Sequence, residues 1–240
     1  MTAAASVVQF RGTTLTKLLM QQIYKYLLET CYPATIMAQQ LFTRGIRTSM
    51  NAGTMTAEIG ADIIERAKKI KVILMDVDGV MTDGKLYYFP GPDGTMVETK
   101  GFNSLDGLGL HFCSHAGIKT GVISGRQSPA TIERARILGM SYVYQGLLDK
   151  VDSWEEVLKH AGVVDDEAVF IGDDFTDVPL ITRAGLGVAV ANARDEVKRS
   201  ANLVTKLAGG EGAVREVVEV ILKAQGKWQA VLEKYCIVGA

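Results

Sequence analysis

At 240 residues the chain can hold one α/β domain with a sizeable core, or one domain with an appendage. A net charge of −1, with 48 % hydrophobic and 22 % charged residues, gives no drive toward nucleic acid or an anionic membrane surface. Cys31, Cys113 and Cys236 show no CxxC spacing, which argues against a disulfide framework or zinc knuckle and suits reduced thiols in the cytoplasm.

The N-terminal segment, residues 1–60, differs in character from the rest of the chain. Residues 1–49 carry five basic residues against one acid, Glu29, whereas the remainder has 26 acids against 21 bases. Lys17–Thr30 has the spacing of an amphipathic helix, with Leu18, Leu19, Ile23, Leu27 and Leu28 roughly on one face. Acid-free residues 1–28 read either as a weak organellar targeting segment or as an upstream extension before an internal start at Met50 or Met55. No apolar run approaches the ~18 residues that would span a bilayer, and a secretory signal pattern is lacking. A helix-like run, Ala57–Lys69, leads into the main domain, expected over 61–227, with a tail at 228–240.

Lys71–Asp83 anchors that domain. Val72 to Met75 are apolar without alternation, as in a strand buried on both faces of a parallel sheet. Asp76 and Asp78 come directly after them. A charge is costly inside a sheet, so both belong at the strand's carboxyl end, where open α/β sheets bind ligands. Gly79 permits the turn that brings Asp78 round to Asp76. A nucleophilic carboxylate with a second as proton donor makes a workable hydrolase; a capped loop entering a helix is the competing interpretation.

Lys85–Phe89 and Thr95–Lys100, around Pro90–Gly94, predict a hairpin outside the βαβ alternation, with Tyr87, Tyr88 and Phe89 in need of burial. A helix is expected over Leu108–Ala116, with Asp106 either its N-cap or a ligand-binding carboxylate. His111 and His115 lack the third ligand of a zinc motif. Lys119–Ile123 is a second strand, ending in Ser124-Gly125-Arg126, whose hydroxyl, backbone N–H groups and guanidinium suit a phosphate; a simple turn is the alternative. Pro129 opens a helix running to about Leu138.

Tyr142–Gln145 is a third strand, followed by Lys150 and a helix over Val151–Ala161. Ala168–Ile171 is a fourth, leading to Gly172-Asp-Asp-Phe-Thr-Asp177. Two unit charges ~4 Å apart repel by ~4 kcal/mol at an effective dielectric of 20, so gathering Asp76, Asp173 and Asp177 calls for a counter-cation. All-oxygen ligation favours Mg²⁺. Leu186–Val190 and Leu203–Thr205 complete the strands, and Ala213–Gln225 is the last long helix. The alternation predicts an α/β fold, a doubly wound Rossmann-like parallel sheet with a projecting β-hairpin. From Asp76 to Ser124 is 48 residues and from Lys150 to Asp173 is 23, so neither gap holds a cap domain. Neighbouring subunits are therefore expected to cover the cleft through the hairpin and the C-terminal segment, with Trp228 and Tyr235 docking on a neighbour or fraying.

Asp76-Val-Asp-Gly-Val, Ser124-Gly-Arg, Lys150 and Gly172-Asp-Asp-x-x-Asp177, in that order, resemble the four motifs of the haloacid dehalogenase superfamily of phosphatases. Lys100-Gly-Phe-Asn-x-x-Asp106-Gly-x-Gly, Tyr144-Gln-Gly and Ala208-Gly-Gly-x-Gly-Ala-Val-Arg-Glu216 are similar to the capless branch acting on phosphorylated sugar acids. This resemblance implies Asp76 as nucleophile, Asp78 as acid/base, and Ser124 and Lys150 on the phosphoryl group. It implies Mg²⁺ held by Asp76, Asp173 and the carbonyl of Asp78, with Asp174 and Asp177 in support. Gly125, Arg126, Lys100 and Asp106 are expected to contact phosphate or substrate. A homotetramer in the cytoplasm, without nucleic acid or membrane partners, is implied too. Leu105 and Glu211 stand where members of this branch carry arginine, which leaves open another small phosphomonoester, such as a nine-carbon sialic-type acid phosphate or a nucleotide. A weakly catalytic regulatory subunit is a further alternative.

Overall fold

The computed structural model describes residues 59–237. The expectations for Lys17–Thr30, Met50 and Met55 lie outside the described residues; of the helix expected at Ala57–Lys69, the described part is α1, Ala61–Lys68.

Strand β1, Val72–Met75, is buried along its whole length and lies inside a six-stranded sheet. The other members are β4 (Lys119–Ser124), β5 (Tyr142–Gln145), β6 (Ala168–Gly172), β7 (Leu186–Ala189) and β8 (Leu203–Val204). Their order is β5-β4-β1-β6-β7-β8, with every neighbouring pair parallel. Both neighbours of β1 come later in the chain and wind away in opposite directions. The switch point therefore lies at the carboxyl ends of β1 and β6, where such sheets bind ligands.

Helices α2 (Ser104–His115), α3 (Pro129–Leu138), α4 (Val151–Ala161), α5 (Val178–Arg183), α6 (Asp195–Ser200), α7 (Ala213–Ala224) and α8 (Trp228–Lys234) complete the fold. On α7, Val214, Val217, Val218, Ile221 and Leu222 repeat at helical spacing and are all buried. Each such side chain contributes roughly 1.5–3 kcal/mol relative to exposure. Pro129 starts α3, and left-handed Gly139 and Gly162 end α3 and α4. No described helix is long and apolar enough to cross a membrane.

Three features depart from the sequence reading. The second helix begins at Ser104, because the Asn103 side chain accepts a 2.8 Å hydrogen bond from Leu105 N–H and is the N-cap in place of Asp106. Gly107 and Gly109 sit inside this helix for packing reasons. A Cβ on Gly107 would lie 2.4 Å from Arg134 Nη2, and one on Gly109 would lie 2.9 Å from Arg215 Cδ. Residues 228–234 are not a loose tail but α8, folded onto its own chain. Trp228 and Tyr235 meet Phe112 at ring separations of 6.1 and 5.7 Å, and the Arg215 guanidinium stands 4.6 Å over Phe112 and 5.5 Å from Trp228. These contacts leave Trp228 half-buried and Tyr235 45 % exposed.

The hairpin, β2 (Tyr87–Pro90) and β3 (Met96–Thr99), forms a separate antiparallel sheet with Tyr88 opposite Glu98. Tyr87, Tyr88, Phe89, Met96 and Val97 are exposed.

Candidate active site

The fully buried strands β1 and β6 deliver their charges together as they leave the core. Asp76 N–H donates to Ile171 C=O at 3.0 Å, so β1 remains paired up to the first carboxylate. Lys150, at the start of α4, donates to Asp76 Oδ1 at 2.8 Å and to Asp177 Oδ1 at 2.7 Å. All three side chains are nearly inaccessible. Asp177 Oδ2 accepts from the N–H groups of Asp173 (2.9 Å) and Asp174 (3.3 Å), closing the turn after β6. Gly172 is required here, since its Cβ would lie 2.4 Å from that of Asp177. Asp174 turns outward from this arrangement and caps Phe175 N–H at 2.7 Å.

Crowding shows in the protonation equilibria. Burial pushes Asp173 up to about 8, helped by the charges of Asp177, Asp76 and Asp174 and opposed by Lys150. Burial also lifts Asp76 to about 6, with Lys150 pulling it down and Asp177 adding to the rise. For Lys150, burial favours the neutral amine, but Asp76 and Asp177 outweigh it and raise its pKa.

Carboxylate oxygens of Asp76, Asp173 and Asp177 lie within 4.8 Å of one another. Asp173 Oδ1 is buried without a hydrogen-bond partner. An all-oxygen donor set with one orphaned oxygen and excess negative charge fits a hard divalent cation. Both oxygens of Asp177 are already engaged, so Asp76 and Asp173 are the carboxylates with capacity for a metal, and Asp177 holds Lys150.

Gly79 adopts φ 94°, and a Cβ there would stand 2.1 Å from Asp173 Oδ2. Beyond it, Asp78 is bonded to the Lys100 amine. Lys100 also lies 3.3 Å from Glu98, and Arg126 Nε is 3.7 Å from Asp78 Oδ2. The Arg126 guanidinium is bonded to Glu98 and, at 3.2 Å, to the Tyr88 hydroxyl. Arg126 and Lys100 together outweigh burial and hold the Glu98 carboxyl below its ordinary range. Ser124, at the end of β4, is buried, and its Oγ accepts from Arg126 N–H at 3.4 Å.

Of the residues expected in the site, Asp76, Asp173, Asp177 and Lys150 converge directly. Lys100 and Arg126 gather on Asp78, their charged ends facing carboxylates. Ser124 and Gly125 form the turn leading to Arg126. Asp106 goes elsewhere. It is 1 % exposed, and its Oδ1 accepts from Arg215 N–H at 2.8 Å at the start of α7, while its Oδ2 is buried without a hydrogen-bond partner. Glu98 and Tyr88 join the site without having been anticipated. The signal available was Glu98 and Lys100 at strand spacing, at and just beyond the end of β3.

Residues 138–217 match the family model of the haloacid dehalogenase-like hydrolases. Across 181 residues the chain is 35 % identical to the 3-deoxy-D-manno-octulosonate 8-phosphate phosphatase of Escherichia coli K12, covering 75 % of this chain and 94 % of that one. The solved enzyme of that name from Moraxella catarrhalis, in complex with magnesium ion, phosphate ion and KDO, superposes with a TM-score of 0.69 at 38 % identity, over 72 % of this chain and 98 % of its own. A cobalt-bound phosphatase from Haemophilus influenzae superposes with a TM-score of 0.63 at 39 % identity, over 68 % and 92 %. Four motifs meeting at one switch point, on a chain this similar along nearly the whole length of its relatives, lead to one conclusion: it belongs to the haloacid dehalogenase-like hydrolases, in the family of the 3-deoxy-D-manno-octulosonate 8-phosphate phosphatases.

Proposed function

We propose that this protein is a Mg²⁺-dependent phosphatase hydrolysing 3-deoxy-D-manno-octulosonate 8-phosphate to the free sugar acid and phosphate. The observation that carries it is Asp76 at the carboxyl end of β1, bridged by Lys150 to Asp177, beside the partnerless Asp173 Oδ1. Mg²⁺ bound by Asp76, Asp173 and the carbonyl of Asp78 would neutralise charge on the phosphoryl oxygens.

The chain's own residues divide the remaining work. Lys150 fixes Asp76 Oδ1, leaving Oδ2 for in-line attack on phosphorus. A carboxylate–phosphorus bond forms as the sugar's ester bond breaks, and Asp78 passes its proton to the departing alkoxide oxygen. Asp78 then accepts a proton from the water that attacks phosphorus, releasing phosphate and restoring Asp76. Ser124 Oγ and the Gly125 N–H donate to phosphoryl oxygens, while Asp177 keeps Lys150 aimed. Asp174 supports the loop through its cap on Phe175.

The exposed apolar hairpin supports a homo-oligomer, a tetramer, whose subunits cover one another's clefts. Ordinary net charge and isolated cysteines support a cytoplasmic location. Leu105, 54 % exposed, and Glu211, also exposed, favour a second reading in which another small phosphomonoester is the better substrate. Phosphate release from a panel of sugar-acid, sialic-type and nucleotide phosphates, with Asp76→Asn as control, tests both. Highest kcat/KM on the eight-carbon sugar acid supports the first reading, and preference for a nucleotide over every sugar acid overturns it. Equal, negligible release by both proteins would indicate a non-catalytic subunit.

A further inference from the structure

Asp106 is a buried carboxylate for which the proposed chemistry has no use. Burial raises its pKa, and the N–H groups of Arg215, Gly212 and Val214 pull it back. It sits at the third position of α2, one residue after Leu105 and one turn from the cap Asn103. Asn103 Nδ2 donates to Gly210 C=O at 2.9 Å. One turn of helix thus grips both ends of the 209–215 stretch, at Gly210 through Asn103 and at Arg215 through Asp106.

That stretch lies against the nucleophile loop. Gly210 N–H donates to Val80 C=O at 3.0 Å. A Cβ on Gly209 would be 1.7 Å from Gly79 C=O, and one on Gly210 would be 2.6 Å from Asp83 N. Backbone thus packs on backbone, and the Asn192 side chain ties the two loops, accepting from Gly209 N–H at 2.6 Å and donating to Gly79 C=O at 3.0 Å. The peptide so gripped, Gly79–Asp83, begins one residue after Asp78.

We propose that Asp106 is a positioning residue for Asp78: by holding the glycine-rich 208–212 loop, it fixes the peptide that follows the acid/base and so aims its carboxylate at the leaving group. This rests on the proposed role of Asp78. Loss of Asp106 should therefore harm reactions in proportion to their need for a proton donor. An alkoxide leaving group needs protonation, which general acid catalysis supplies at roughly 10²–10⁴-fold, whereas an aryl oxide needs little.

The experiment measures kcat and KM for full-length wild type, Asp106→Ala, Asp106→Asn and Asn103→Ala with Mg²⁺, on an alkyl phosphate without a sugar and on p-nitrophenyl phosphate. Asp106→Ala should lower kcat on the alkyl phosphate about 100-fold and on the aryl phosphate no more than about 10-fold, with KM nearly unchanged. Asp106→Asn, which keeps an oxygen for Arg215 N–H, should recover at least about 10-fold of the alkyl loss. Asn103→Ala should show the same leaving-group bias more weakly, and serves if Asp106→Ala fails to fold. Equal losses on both phosphates overturn the proposal in favour of a stability role. A loss seen only with sugar-acid phosphates, and in KM, overturns it in favour of a substrate contact. Wild-type turnover of the two phosphates reports separately on the proposed function.

Discussion

Removing the Lys150 amine while keeping its bulk, as in Lys150→Met, would leave Asp76 and Asp177 facing each other in a site from which water is almost excluded. The amine makes two charge-assisted hydrogen bonds, of 2.8 and 2.7 Å. Each such bond contributes about 1.5–3 kcal/mol, and breaking a buried pair from one side costs about 3–5 kcal/mol because a bare charge remains. Lys150→Met should therefore lose about 4 kcal/mol, or roughly 8–16 °C in Tm for a domain of this size. Asp177→Asn should lose less, since the carboxamide oxygen can still accept from the amine. Combining the two removes one of the stranded charges, so the double variant should be at least ~2 kcal/mol better than the sum of the single losses. Urea unfolding in EDTA at pH 7.5, at fixed protein concentration, measures all four corners of the cycle. The Lys150→Met deficit should shrink as pH falls, because protonating Asp76 removes uncompensated charge. Strict additivity, or a Lys150→Met loss under ~1 kcal/mol, would refute the view that this triad is a closed buried network.

Other outcomes rest on the same geometry. Asp173 and Asp76, at about 8 and about 6, are raised above the ordinary value of 3.8, so each contributes stability that is full below 3.8 and lost as pH rises through the folded value. The metal-free protein should accordingly lose stability from about pH 4 to about pH 8, more steeply below about 6, where both groups contribute. Mg²⁺ should restore it, with a larger Tm increment at pH 8.5 than at pH 5.5 and with protons released on binding, as read by calorimetry in buffers of different ionisation enthalpy. Gly79→Ala would place a methyl 2.1 Å from Asp173 Oδ2 at φ 94°, and should cut kcat at least ~100-fold and weaken Mg²⁺ binding measured by calorimetry. Phe89→Glu on the exposed hairpin should reduce the assembled mass seen by light scattering while each chain keeps its helical circular dichroism; an unchanged mass would count against assembly through this ribbon.

The strand-end chemistry was open to inspection in the sequence because burial leaves it few alternatives. Val72–Met75 and Ala168–Gly172 are apolar runs that need a sheet on both faces, and carboxylates directly after them must leave the core on the same side. Lys150 had no such local signature and became interpretable through the ordered set of motifs. Beyond that reach lay pairings between residues far apart in the chain. Arg126, read as a phosphate ligand next to Ser124, also meets Glu98, 28 positions earlier, a pairing that no local pattern announces. Asp106, readable either as a cap for its own helix or as a ligand-binding carboxylate, accepts from the first turn of a helix that begins more than a hundred residues later. The helix expected from Leu108 begins four residues earlier, at Ser104, and the close approach of Arg134 and Arg215 accounts for Gly107 and Gly109 inside it.

The meeting of Gly79 with Gly209 has a bearing on how the protein comes into being. A ribosome makes Asp76, the proposed nucleophile, in the first third of the polypeptide, but the glycines that back its loop emerge more than 130 residues afterwards. A nascent chain lacking Gly209 and Gly210 carries every reactive side group and none of the support beneath them. Competence for turnover should therefore arrive late and abruptly during synthesis, sparing the cell a half-made hydrolase loose among its phosphorylated metabolites.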